Sequence, residues 1–226
     1  LKDYSAQFHF TEPEHALQIA QAAYRLGQQL PAPAPALGAW ALGNALVHSQ
    51  RYADAERMLQ QARRHYLAAQ QFLDAARMVV GHVGILAYTG KSEEALALAA
   101  EIEPMLTIVG KTDDADLQRL GKLLMNTGVA YELLGRYEEA LATYERQQTI
   151  AETLGDPLML AQLANNQAYA LVQIGAYTEA IAVYQRAEQL FHTTNAQTET
   201  VRFYYNYAAL LTMVGEFSAA RQLQDK

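Results

Sequence analysis

Residues 134–144 read Leu-Gly-Arg-Tyr-Glu-Glu-Ala-Leu-Ala-Thr-Tyr, and forty residues later the chain writes Ile-Gly-Ala-Tyr-Thr-Glu-Ala-Ile-Ala-Val-Tyr. A looser copy, Val-Gly-Glu-Phe-Ser-Ala-Ala, begins at Val214. This repetition constrains the fold more than any other feature, because a period of 20–50 residues marks stacked supersecondary units that each bury a face only against a neighbour. Aligned on the alanine of the motif, Ala55, Ala95, Ala140, Ala180 and Ala220 succeed one another at intervals of 40, 45, 40 and 40, and Ala16 stands 39 before the first.

The slots around each alanine have physical reasons. Five before it stands Gln50, Gly90, Gly135, Gly175 or Gly215, a position suited to the positive φ that ends a helix. Three before it stands Tyr52, Ser92, Tyr137, Tyr177 or Phe217, read as a ring over the turn. Twelve before it the residues are mostly small: Gly43, Val83, Gly128, Ala168 and Ala208. Nine before it come Leu46, Leu86, Tyr131, Leu171 and Leu211, and four after the first four alanines come Leu59, Ala99, Tyr144 and Tyr184. Apolar residues between these slots fall at helical spacing, as in Gly-Val-Ala-Tyr-Glu-Leu-Leu-Gly, and sustained strand alternation is missing. The alanine is expected where two helices cross closely, so a larger residue there overpacks the contact.

The pattern small-x-x-Tyr/Leu, Gly-x-Tyr-x-x-Ala, x-x-x-Tyr, best kept by Gly128, Tyr131, Gly135, Tyr137, Ala140 and Tyr144, resembles the tetratricopeptide repeat family. The period of about 40 residues is similar to the long-repeat arrays of kinesin light chains, bacterial peptide-sensing regulators and the sensor regions of bacterial signalling ATPases and activators. The resemblance implies an all-α fold, a right-handed superhelix or α-solenoid of stacked antiparallel helix pairs. It also implies a concave groove lined by the first helix of each pair.

Along the chain, residues 1–35 read as a degenerate first repeat, the end of one helix and then a second one, with a Pro-rich connector. Residues 36–226 read as five hairpins, the last truncated. Thr11-Glu12-Pro13 reads as a helix start, and Pro-Ala-Pro-Ala-Pro-Ala, residues 31–36, as a stiff, extended hinge or insert. Pro104 is expected to end or kink the helix it enters, Gly110 to terminate the segment after it, and Asp156-Pro157 to restart a helix. The opening Leu and the close within a repeat read as a piece of a longer protein, with self-association through an uncapped last hairpin as one consequence.

Composition excludes several classes. Net charge is −7, against a nucleic-acid partner. No run of 18 apolar residues spans a membrane. With no cysteine there is neither disulfide nor thiol chemistry, which fits a cytoplasmic location. Lys-Thr-Asp-Asp-Ala-Asp-Leu lacks the Gly and Glu of a calcium loop and reads as a helix start with acids at the positive end of the dipole. Thr-Gly-Lys-Ser-Glu-Glu has five residues between Gly84 and Gly90, where a phosphate loop needs four. His9, His15, His48, His65, His82 and His192 form no zinc pair, though His48 and His82 fall on first helices that line a groove. No nucleophile, base and orienting acid assemble, so neither enzyme activity nor a cofactor is expected.

The candidate site is therefore the groove. Asn126, Asn166 and Asn206 stand two before the small residue in successive repeats, and a row of amides can hold an extended backbone; the competing reading is a bond between helices. Arg77, Lys122, Gln162 and Arg202 lie one turn earlier on the same face, three of them basic and suited to a carboxylate. Asn165, Tyr169 and Tyr205 point to the groove side, and Trp40 is read as core. The expected function is a scaffold binding an extended peptide or protein. The alternatives are an oligomerisation module and the effector-sensing arm of a transcription activator or signalling ATPase.

Overall fold

The computed structural model describes residues 12–192 and 197–224, and these are helical without a strand. The end of a helix expected before Thr11 lies outside the described residues. The helices are α1 Pro13–Gly27, α2 Ala34–His48, α3 Tyr52–Ala68, α4 Phe72–Tyr88, α5 Ser92–Val109, α6 Asp114–Leu133, α7 Tyr137–Leu154, α8 Pro157–Gln173, α9 Tyr177–His192, α10 Gln197–Met213 and α11 Phe217–Gln224. They form two compact units that divide between Leu123 and Leu124. In the first, α1 packs on α2, α2 on α3, α3 on α4 and α4 on α5; in the second, α7, α8, α9, α10 and α11 pack in succession and α10 also meets α8.

Each first helix ends as its sequence dictates. Gly90, Gly135, Gly175 and Gly215 take positive φ, and so does Gln50 at 57°. The amide after each donates back to the residue nine before the motif alanine: Arg51 to Leu46, Lys91 to Leu86, Arg136 to Tyr131, Ala176 to Leu171 and Glu216 to Leu211. This six-to-one bond satisfies a carbonyl the helix end would otherwise strand. A side chain at positive φ costs about 1–2 kcal/mol, partly offset by the flexibility of glycine in the unfolded chain. Gln50→Gly is therefore expected to stabilise the first unit by roughly 0.5–1 kcal/mol, seen as a Tm higher by ~1–4 °C; an unchanged or lower Tm would show that the turn is unstrained.

The alanines sit where they were expected: Ala16, Ala55, Ala95, Ala140 and Ala180 are completely buried and Ala220 nearly so. The small slot meets the side chain on the second helix of its own hairpin. A Cβ on Gly128 would lie 2.2 Å from Tyr144 Cε1, and one on Gly43 would lie 2.7 Å from Leu59 Cδ2. In the α4–α5 hairpin the sizes are reversed, with Val83 and Ala99 both buried. The second unit adds an aromatic core, in which Tyr184 stacks on Tyr207 at 5.0 Å between centroids and Phe191 meets Phe203 at 4.9 Å.

Several expectations are corrected. The rings at the turn slot open the second helix and are covered to different degrees: Tyr137 is half-buried, Tyr52 and Tyr177 are 39% and 40% exposed, and Phe217, at 68%, stays largely in solvent. The Pro-Ala stretch is not extended throughout, because α2 begins inside it at Ala34. Nor does it hold the flanking helices apart: a Cβ on Gly38 would lie 2.9 Å from the Ala23 carbonyl oxygen and Tyr24 Cα. Pro104 does not end its helix, as α5 continues to Val109. Pro104 and Ala100, whose carbonyl loses its donor, are both exposed, so water can take the missing bond. Gly110 does come directly after the end of α5, but in right-handed geometry. Asp156 caps α8 by accepting from the Met159 amide at 3.0 Å, with Pro157 in the first turn.

Candidate functional site

The side chains expected in the groove divide into those spent inside the array and those left accessible. Arg77 belongs to the first group. Its Nε and Nη2 donate to the two carboxylate oxygens of Asp116 at 2.9 and 2.6 Å, and its Nη1 donates to Asp74 at 3.1 Å. Asp116 is 1% exposed and also accepts from Arg119 at 2.8 Å. The Arg77 guanidinium, chiefly, holds the Asp116 carboxyl below the usual carboxylate range. A bidentate pair with a buried partner ties α4 to α6, so Arg77 is not available to a ligand carboxylate. In the same acidic stretch, Asp113 accepts the Asp116 amide at 3.0 Å, the helix-start role anticipated for these acids. Lys122 is exposed in the first unit.

The amides are also partly committed. Asn165 and Asn166 are buried, at 2% and 9% exposure, rather than open to a groove. Asn206 on α10 donates to Asn165 on α8 at 3.3 Å, and Asn165 donates to Asn166 at 3.4 Å. A chain of amides thus joins successive first helices, while Asn126 and Asn206 are half-buried. Tyr169, Arg202 and Tyr205 are exposed, Tyr205 most of all at 76%. Trp40 is half-buried.

The residue that organises this part of the second unit gave little sign of itself in the sequence. Glu132, near the end of α6, accepts a hydrogen bond from the Tyr144 hydroxyl at 2.9 Å. Burial pushes its carboxyl up to about 7, against the opposing effects of the Tyr144 bond and the Arg202 charge. The phenols of Tyr169 and Tyr184 are raised as well, chiefly by burial and partly by Glu132. The structure thus brings together Glu132 from α6, Tyr169 from α8 and Arg202 from α10, with Tyr205 and Asn206 on the same helix as Arg202. A carboxyl that titrates near neutrality both donates and accepts, and a guanidinium nearby adds a fixed fork of donors. The one clue in the sequence was an acid inside the otherwise apolar run of residues 128–135.

The raised value carries a stability signature. The unfolded chain releases this proton near pH 4.5 and the folded chain near 7. Glu132 therefore stabilises fully below about 4.5, and that contribution is lost as pH rises through 7. At one pKa unit per 1.36 kcal/mol and with partial exposure, the loss is on the order of 1–3 kcal/mol. Glu132→Gln should flatten the stability slope between pH 4.5 and 7 and leave the variant more stable than wild type above pH 7. Parallel slopes in urea unfolding would rule the assignment out.

Residues 119–191 match the sequence model of the tetratricopeptide repeat. No curated protein matches the chain significantly. Among solved structures, a Rap protein complexed with Competence and Sporulation Factor is similar at 15% identity and a TM-score of 0.78, covering 94% of this chain and 57% of that one. NprR in complex with its cognate peptide NprX is 18% identical with a TM-score of 0.70, over 99% of this chain and 64% of that one. PlcR of Bacillus thuringiensis, in complex with the peptide PapR7 and DNA, is 18% identical with a TM-score of 0.65, over 93% and 72%. The chain spans between about half and three quarters of these proteins. At such identities the likeness is one of fold: stacked TPR-like helix pairs.

Proposed function

We propose, taking the tetratricopeptide match over residues 119–191 as premise, that this chain is a scaffold that recognises proteins and peptides rather than a catalyst. The first helices α6, α8 and α10 of the second unit would hold an extended segment. The observation that carries this reading is the convergence of Glu132, Tyr169 and Arg202 from three successive first helices. One face there offers an acid, a base and two exposed phenols, which suits a peptide's alternating donors and acceptors. Tyr169 and Tyr205 supply aromatic contact area of the kind that anchors interfaces. The amide chain from half-buried Asn206 to buried Asn165 and Asn166 would keep the helices at the spacing a bound segment needs. Arg77 and Asn165 drop out as ligand contacts. The solved relatives NprR and PlcR, each seen with a peptide, support the reading by fold. By the same analogy the array would be the cytoplasmic sensing region of a larger signalling protein; no helix among the described residues is long and apolar enough to cross a membrane.

The test is selection from a random peptide library on the wild-type chain, then affinity measurement on Tyr169→Ala/Arg202→Ala. Both positions are exposed, so the fold should persist. A loss of ten- to a hundredfold is expected, about 1.4–3 kcal/mol. Selected peptides that bind both proteins equally would place recognition elsewhere.

A second reading has its own observation. Met213 and Phe217, at the end of α10 and the start of α11, are 62% and 68% exposed, exposed apolar side chains of a kind suited to self-association. Light-scattering mass that rises with concentration in wild type and not in Phe217→Glu would favour it.

A further inference from the structure

His82 makes the first unit chemically unusual. It lies on α4 thirteen residues before Ala95, the slot that Leu42, Thr127, Gln167 and Tyr207 occupy in the other repeats. It is 4% exposed, yet among the described residues neither ring nitrogen has a hydrogen-bond partner. Two orphaned polar atoms in a buried ring are costly, and a folded chain seldom leaves them so unless something else completes them. Burial holds the imidazole below its ordinary value, so near pH 7 it is neutral and presents one donor and one acceptor.

His82 lines a cleft of about 490 Å3 walled by α3, α4 and α5, a size ordinary for small-molecule sites, and its ring nitrogens are covered beneath the surface. Leu67, Leu86 and Leu98 give the cleft apolar walls. Arg63 bonds Glu101, linking α3 to α5 at the rim. Arg64 also lines the cleft, is exposed, and makes no ion pair among the described residues.

We propose that this cleft binds a small carboxylate with an apolar body and a hydroxyl group. The hydroxyl, which donates and accepts, meets the His82 ring at the floor. The apolar body lies against Leu86 and Leu98. The carboxylate is held at the rim by Arg64, whose guanidinium fork suits it. The site belongs to the first unit and uses none of the peptide-binding residues of the second.

The experiment is an NMR titration of the full chain, tracking the imidazole resonances of His82. The probes are 3-(4-hydroxyphenyl)propanoate and its analogue without the hydroxyl, 3-phenylpropanoate. Saturable shifts at His82 with the hydroxylated probe are expected, with at least tenfold weaker binding of the analogue, since a site built around a hydroxyl rejects a partner lacking one. His82→Leu, which places the residue of the preceding repeat in this slot, should equalise the two probes. Arg64→Gln, at an exposed position, should weaken both by about tenfold and does not depend on the core variant folding. Absence of any shift at His82 up to millimolar probe, or equal binding by wild type and both variants, would overturn the proposal.

Discussion

Arg77→Met is expected to lower the unfolding free energy of the first unit by about 3 kcal/mol, because it strands a buried carboxylate. Asp116 is 1% exposed. With Arg77 removed it keeps only Arg119, itself 37% exposed and three residues away on the same helix. The loss should appear as an earlier urea transition with little change in slope. Restoring an apolar contact with Arg77→Met/Asp116→Leu should recover most of it, since a buried ion pair exchanged for packed apolar groups is often neutral. The pH dependence is equally specific. Asp116 is held below its ordinary 3.8, so the pair contributes fully above that value, and the contribution is lost as pH falls through the lowered one. The gap between wild type and Arg77→Met should therefore close in acid. A gap that stays constant to pH 2 would show that packing, not charge, sets the cost.

Gly128→Ala is expected to cost about 2 kcal/mol in the second unit. The added methyl would stand 2.2 Å from Tyr144 Cε1 and 2.6 Å from Cζ. That ring cannot easily retreat, being fully buried with its hydroxyl on Glu132. Overpacking of this kind costs about 1–3 kcal/mol, and the better helix propensity of alanine returns less than 1. Tyr144→Leu alone should also destabilise, through the lost ring. Combined, Gly128→Ala/Tyr144→Leu should fall short of the sum of the two by about 1 kcal/mol or more, because each removes the other's problem. Simple additivity in thermal unfolding would mean that the ring relaxes away from the new methyl unaided.

What the sequence made legible was whatever repeats along one helix. The glycine turns, the buried alanines and the small slot all concern a residue and its own hairpin, and each slot recurs often enough to be read. Gln50 takes the same positive φ as the glycines of its slot although the sequence offered that geometry only for glycine. The candidate site was less legible. Arg77 shares a face with Lys122 and Arg202 in sequence, but its partner Asp116 lies 39 residues on, in the next hairpin, where helical phase alone does not show which side chain reaches which. Asn165 looked like a groove residue for the same reason, and it bonds instead to Asn206, 41 residues away. Glu132 went unnoticed, and His82 was seen only as a residue on a first helix, because their character comes from burial, and burial of a polar group is a property of neighbours. Pro104 misled because the cost of a proline depends on whether the freed carbonyl faces water, here at an exposed Ala100.

The match between the small slot and its opposite number has a consequence for how such an array can change. Gly128 with Tyr144 and Gly43 with Leu59 are each divided between the two helices of a single hairpin, so a single helix transplanted from one repeat to another arrives with half of a fitted pair. A whole hairpin carries both halves with it. Duplication, loss or exchange is therefore tolerated when its breakpoints fall in the turns between hairpins and penalised when they fall in the glycine turns inside them. Chimeras cut at the two kinds of turn would inherit their stability accordingly.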